Sequence, residues 1–189
     1  VNKELFSANF ELLEDDKIIG TLFLKGSLGS PEVKLTGKIY DKEFSMKRSK
    51  GSKGKFRPYD IIEDDNIVGE VYQAEIKTGF FSYKAYRKCI YKGKEYNTYD
   101  VALLDNKCVN STYHNDSQIA QYYNDTTIYN DLYNFEIYCQ NSDELFISVI
   151  TAIYAYITGF YKAGEKHTQS VKKYYSKNVD FPEKYDPDW

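Results

Sequence analysis

Cysteine, histidine, proline and glycine are all scarce in this chain, and each scarcity excludes something. Cys89, Cys108 and Cys139 are an odd number without metal-ligand spacing, so neither a disulfide framework nor a metal site is expected. His114 and His167 have no partnered serine or cysteine in a recognisable motif. There is no H-E-x-x-H, no Walker loop and no G-x-S-x-G. Catalysis therefore has little support, and no catalytic residue, metal or cofactor is assigned. Four prolines and eleven glycines leave little room for long disordered tracts. A net charge of -3 is too small to imply a general attraction to nucleic acid or lipid. The opening residues, VNKELFSANF, carry no signal-peptide pattern, and with reduced thiols a cytoplasmic chain is expected.

Aromatic residues are abundant: twenty tyrosines and eleven phenylalanines suit pleated, half-buried surfaces. The chain also repeats itself. Residues 10–23 read FELLEDDKIIGTLF and residues 59–72 read YDIIEDDNIVGEVY, with Glu14, Asp15, Asp16, Ile18 and Gly20 recurring as Glu63, Asp64, Asp65, Ile67 and Gly69. A weaker third copy runs from Asn115 to Tyr122. Each copy is an apolar run, an acidic turn and a second apolar run, which is a hairpin signature. Asp and Asn tolerate the left-handed backbone such turns need, which explains the acidic tips better than calcium binding does. Gly20 and Gly69 mark a bulge or the close approach of another element. Ile18 and Ile67 are expected on equivalent strands, both turned inward. Strands are predicted at 5–13, 18–25, 32–40, 43–48, 57–63, 67–76, 79–91, 95–104, 107–112, 117–123, 126–129 and 133–139.

One long uncharged run breaks the strand pattern. Leu145 to Tyr161 reads LFISVITAIYAYITGFY and is apolar on every side of a helical wheel. Such a helix is buried in protein or placed in a membrane. The run sits at the lower limit for crossing a bilayer and holds Ser148, Thr151, Thr158 and three tyrosines, so a core helix is favoured over a transmembrane span. Ser or Asp in Asn141-Ser142-Asp143-Glu144 is expected to cap it, and Gly164 to end it. Residues 1–164 then form one domain with its helix at about 144–163, and residues 165–189 a polar C-terminal tail.

The repeated D-x-I-[IV]-G hairpins, the Y-x-F-x-I-Y strand of Tyr133, Phe135, Ile137 and Tyr138, and the apolar helix that follows resemble the tubby C-terminal-like superfamily. The likeness is to its small bacterial members and to its LURP-one and phospholipid scramblase branches. It covers roughly residues 5–163. It implies a mainly β fold: a closed antiparallel barrel of about twelve strands around a central hydrophobic helix. In the tubby family proper basic residues bind phosphoinositides, but none of those positions can be matched here.

The most suggestive polar stretch is MKRSKGSKGKFR, Met46 to Arg57, which carries Lys47, Arg48, Lys50, Lys53, Lys55 and Arg57 and no acid. Such a loop could collect phosphates. Lys84, Arg87, Lys88, Lys92 and Lys94 are expected to extend the patch if the repeats pack side by side. Tyr122, Tyr123, Tyr129 and Tyr133 lack interleaved cations, so strand packing rather than base stacking is expected, and nucleic acid is not an expected partner. The favoured function is a non-enzymatic binding module that recognises anionic lipid headgroups or a protein partner at the inner membrane face. The alternatives are a scramblase-like protein whose helix inserts into lipid and, less favoured, an enzyme using the barrel mouth.

Overall fold

The computed structural model describes residues 5–27, 33–50, 56–105, 107–128, 134–160, 171–172 and 179–189. One antiparallel sheet of eleven strands dominates. Its strands are β1 (Leu5–Glu14), β2 (Lys17–Ser27), β3 (Val33–Ile39), β4 (Lys42–Arg48), β5 (Phe56–Glu63), β6 (Asn66–Lys77), β7 (Tyr83–Tyr91), β8 (Lys94–Leu104), β9 (Lys107–His114), β10 (Ser117–Asp125) and β12 (Phe135–Cys139). Each pairs with its neighbour in that order. The expected strand at 126–129 is shorter, β11 (Thr127–Ile128), and pairs outside the main sheet with β13 (Val171–Lys172).

The repeat is structural. Asp15 and Asp16 at the β1–β2 tip have φ of 49° and 62°, and Asp64 and Asp65 at the β5–β6 tip have 46° and 62°. Left-handed geometry at both central residues matches the twist of the flanking strands. Just beyond each tip the same bulge occurs. Leu12 faces Gly20 while Leu13 faces Ile18, so Ile19 has no partner. Ile61 faces Gly69 while Ile62 faces Ile67, so Val68 has none. In the third copy Thr112 faces Ala120 while Tyr113 faces Gln118, leaving Ile119.

That bulge corrects the expected orientation of Ile18 and Ile67. They are equivalent, but both point to solvent, 59% and 63% exposed. Unbroken alternation from buried Leu24 and Leu22 would turn Ile18 inward. One extra residue reverses the phase, because side chains alternate with period two. A Cβ on Gly20 would stand 2.6 Å from the Lys38 carbonyl oxygen, and one on Gly69 would stand 2.3 Å from that of Ile90. Glycine is required at both sites by the backbone of the next strand.

The helix α1 (Ser142–Ala155) continues through a turn of π-helix, Tyr156–Phe160. Asn141 is the cap: its side chain accepts the Glu144 amide at 3.0 Å, in place of the serine or aspartate expected there. The Glu144 carboxylate in turn accepts the Gln140 amide at 2.9 Å. Nine consecutive residues, Phe146 to Tyr154, are buried. Rings from four strands meet the helix: Phe44 and Tyr91 on Phe146, Tyr59 on Tyr154, and Phe10 on Tyr156. Its buried hydroxyls are satisfied locally, Ser148 on the Glu144 carbonyl and Thr151 on that of Ile147, which lets polar residues lie in an apolar core. The expected core helix is therefore present. No helix among the described residues is long and apolar enough to cross a membrane.

The closed barrel is met only in part. Among the described residues no ladder joins β12 back to β1. The sheet wraps the helix as an open, strongly curved sheet whose edges approach through the Phe10 and Phe135 rings, with centroids 6.3 Å apart.

A second, smaller core lies on the outer face. Phe181 packs with Val101 and Val109, bordered by Tyr86, Tyr99 and Tyr185. Phe181 donates its amide to the Asp100 carbonyl at 3.2 Å, and the Asp180 carboxylate accepts the Ala85 amide at 3.1 Å. The C-terminal segment 179–189 thus covers the outside of β7–β9.

Candidate functional site

Antiparallel pairing gives the sheet two rims with different chemistry. The acidic hairpin tips, Asp15-Asp16 and Asp64-Asp65, lie at one rim. The other rim collects the end of β2, the start of β3, the end of β4, the start of β5 and the β6–β7 tip.

The described residues of the stretch from Lys47 to Arg57 fall in two places on this second rim. Lys47, Arg48 and Lys50 are exposed at the end of β4. Lys53 and Lys55 lie outside the described residues. Arg57 turns to the helix instead. Its guanidinium donates to the Thr158 carbonyl, in the last described turn of the helix, at 2.5 Å. A cation at a helix C-terminus also meets the favourable end of its dipole. Arg57 holds a left-handed backbone, φ 48°, inside a second bulge where Phe56 faces Gln73 and Tyr59 faces Val71.

The geometry adds two residues that composition alone does not single out. Lys25 on β2 stands directly opposite Lys34 on β3, and Lys34 directly opposite Lys47 on β4. All three are exposed on the outer face. Directly opposed side chains stand about 5 Å apart at Cβ, and like charges so placed destabilise a sheet. Among the described residues, no carboxylate lies within salt-bridge distance of any of the three. Ser7 and Asp60 end the row on β1 and β5. Twenty-two positions of sequence separate Lys25 from Lys47, so only the pairing of the strands brings them together.

Next to this row an open groove of about 740 Å³ crosses the outer face of β1–β5 as far as the β5–β6 tip. Lys34 borders it, and Phe23, Thr36 and Ser45 form the adjoining cross-strand row. Glu11, Glu43, Asp64 and Asp65 also line it, against Lys34 and Lys38. Four carboxylates against two lysines make the groove itself a poor phosphate site, so the cationic surface is the lysine row beside it.

The cations of β7 and β8 do not extend this patch. Lys84 pairs with Glu183 at 3.5 Å, Lys88 with Glu95 at 2.7 Å and Lys92 with Glu63 at 2.8 Å. Lys92 and Lys94 flank the β7–β8 turn, which lies on the acidic rim. Arg87 points inward to Asp100 and donates to the Asn110 side chain at 2.5 Å. Burial works against the Arg87 charge, but the Asp100 carboxylate overrides it and holds the guanidinium protonated. The extension fails because each of the four β7-side cations Lys84, Arg87, Lys88 and Lys92 meets a carboxylate, from β8, β5 or the C-terminal segment.

Groups suited to nucleophilic or acid–base work are blunted. Burial pushes the Cys108 thiol up to about 12 and raises that of Cys89 further. His114 is held by the Glu95 carbonyl at 2.9 Å against the Tyr96 ring. His167 lies outside the described residues. Of the tyrosines considered for stacking, Tyr122 is buried and Tyr123 packs edge-on to Tyr138, while Tyr129 and Tyr133 lie outside the described residues. No protein family, curated protein or solved structure matches the chain.

Proposed function

We propose that this protein is a non-enzymatic binding module of tubby-like fold that recognises anionic phospholipid headgroups at the cytoplasmic membrane face. One observation carries the reading: Lys25, Lys34 and Lys47 form one cross-strand row with Lys34 between two like charges, and although Asp60 faces Lys47 at the end of the row, no carboxylate among the described residues lies within salt-bridge distance of the three. The two lysine–lysine pairs give a folding domain nothing, whereas an anionic ligand turns their repulsion into binding. Each cation near an anionic bilayer contributes on the order of 1 kcal/mol. Arg48 and Lys50 adjoin the row.

The barrel reading belongs to the same proposal. The Phe10–Phe135 contact supports a sheet whose ends meet around the helix, as the tubby-like pattern requires. The helix that a scramblase-like mechanism would insert into lipid is the centre of this core, with Ile147 and Ile150 fully buried. Removing it would expose the inner face of every long strand, which favours peripheral binding.

The test is sedimentation with vesicles of phosphatidylcholine alone and with added phosphatidylserine, at rising salt. Wild type should bind only the anionic vesicles, and salt should release it. The variant Lys25→Ser, Lys34→Ser, Lys47→Ser should bind much less at low salt. Equal binding by both proteins, or no binding by wild type, would overturn the reading and return attention to a protein partner.

A further inference from the structure

We propose that Phe80 and Phe81, at the tip of the β6–β7 hairpin, form an aromatic wedge that enters the edge of the bilayer beside the lysine row. This deepens the headgroup reading and rests on it.

The hairpin continues as a two-stranded ribbon beyond its described pairing with β5 and β8. The last pair between β5 and β6 is Phe56 with Gln73, and the last between β7 and β8 is Arg87 with Thr98. β6 and β7 remain paired as far as Lys77 with Tyr83. Four residues of strand beyond Gln73 carry the tip roughly 13 Å past the last described β5–β6 pair. The tip is built, not slack. Thr78 donates its amide to the Ser82 carbonyl at 2.9 Å, and the hydroxyls of the same two residues bond at 3.0 Å.

On this support sit two phenyl rings that the described core leaves uncovered. Phe80 is 84% exposed and Phe81 is 90% exposed. They meet edge to face with centroids 4.8 Å apart, and Lys77 lies 5.9 Å over the Phe80 ring. Ile76 and Tyr83 on the shaft, and Phe56 at the start of β5, are exposed on the same rim. Scattered apolar residues on a surface need no explanation, but two adjacent rings at the closed end of a hairpin do.

Charge selects the occupant. The aromatic tip shares its rim with Lys25, Lys34, Lys47 and Arg48. A bilayer with anionic headgroups offers an apolar layer beneath a negative surface, and aromatic side chains favour that boundary. Glu75, exposed on the shaft two residues before Lys77, confines insertion to the tip. Headgroup attraction alone is reversed by salt; insertion of the rings adds a part that salt does not remove.

The experiment uses the full chain on phosphatidylcholine–phosphatidylserine vesicles. The protein's only tryptophan is Trp189, at the far end of the chain. In Phe81→Trp, vesicles with brominated acyl chains should quench the added indole, while wild-type emission from Trp189 stays unchanged. Phe80→Ser with Phe81→Ser should still bind at low salt but lose the retention wild type keeps at high salt, by roughly tenfold or more in partition. Unquenched emission in Phe81→Trp, or equal high-salt retention by the serine variant, overturns the wedge. If the serine variant fails while the triple lysine variant binds as wild type does, the wedge stands and the headgroup reading falls. Absence of wild-type binding overturns both.

Discussion

Tyr40 and Lys92 occupy one structural position in two copies of a single repeat. Tyr40 has φ 51° and donates its amide to the Ile19 carbonyl at 2.6 Å; Lys92 has φ 48° and donates to the Val68 carbonyl at 2.9 Å. Ile19 and Val68 are the bulged residues of the preceding hairpins. A third such position falls at Gln140, which follows Cys139 opposite Ala120, but there the amide turns to the Glu144 carboxylate. At that point the third copy leaves the sheet and begins the helix. One local device therefore turns two hairpins into further strands and the third into the core.

The glycines beside the bulge should be intolerant of a methyl group. In Gly69→Ala the new Cβ meets the Ile90 carbonyl oxygen at 2.3 Å and the Tyr91 Cα at 3.0 Å, both backbone atoms that cannot rotate away. A loss of about 1–3 kcal/mol is expected from this overpacking. Gly93→Ala meets nothing within 4 Å and is limited to the strain of its positive φ, so it should cost less. Denaturant midpoints of the two variants decide the order.

The helix should not accept a charge. Ile150 is fully buried, and Ile150→Asp puts an unpaired carboxylate into the core at a cost of several kcal/mol, against a typical total stability of about 5–15 kcal/mol. Folding should be abolished. Ile67→Asp, at an exposed position of similar sequence character, should be tolerated. A soluble Ile150→Asp variant with an unchanged melting temperature would show that the helix is not central.

Much of the fold was legible because it depends on local pattern. The acidic turns, the alternating runs and the uncharged helix each declare themselves within a few residues. Ile18 points outward because a single unpaired residue, Ile19, reverses the alternation; Gly20 signals a bulge or a close approach in the sequence, but not which residue is left unpaired. The strand predicted from residue 79 starts at Tyr83, since Thr78 and Ser82 close a turn whose phenylalanines read like strand residues. The site was legible only in part. A run such as Met46 to Arg57 is visible by composition, whereas the row of Lys25, Lys34 and Lys47 exists only once β2, β3 and β4 pair. The same pairing removed Arg57 from a purely surface role by placing it at the end of the helix.

Acid should weaken the second repeat through Glu63. Burial alone would raise this carboxyl, but bonds from Lys92 and Tyr91 and the charge of Lys42 bring it below its ordinary value. A carboxylate lowered in the folded state stabilises above its unfolded pKa of about 4.3 and loses that contribution as pH falls through the folded value. Glu63→Gln should therefore be less stable than wild type at neutral pH by about 1 kcal/mol, with the gap closing at pH about 3. Equal gaps at both pH values in urea titrations would exclude the carboxylate as the source.

Binding and stability should oppose each other in the lysine row. Lys34 stands between two like charges, so Lys34→Ser removes two repulsive contacts while leaving the strand pairing intact. Each like-charge pair across a sheet is destabilising by a few tenths of a kcal/mol, so the variant should be more stable than wild type by about 0.5 kcal/mol at low salt. Ions screen exposed charges within about 10 Å at 0.1 M, so the gain should shrink as salt rises. The same substitution should reduce retention on phosphatidylserine-containing vesicles at low salt. A variant that is stabilised and binds less marks these lysines as held against the interest of folding. If Lys34→Ser is destabilised at every salt concentration, the lysine serves the sheet through its aliphatic stem, and the argument for a headgroup site loses its main support.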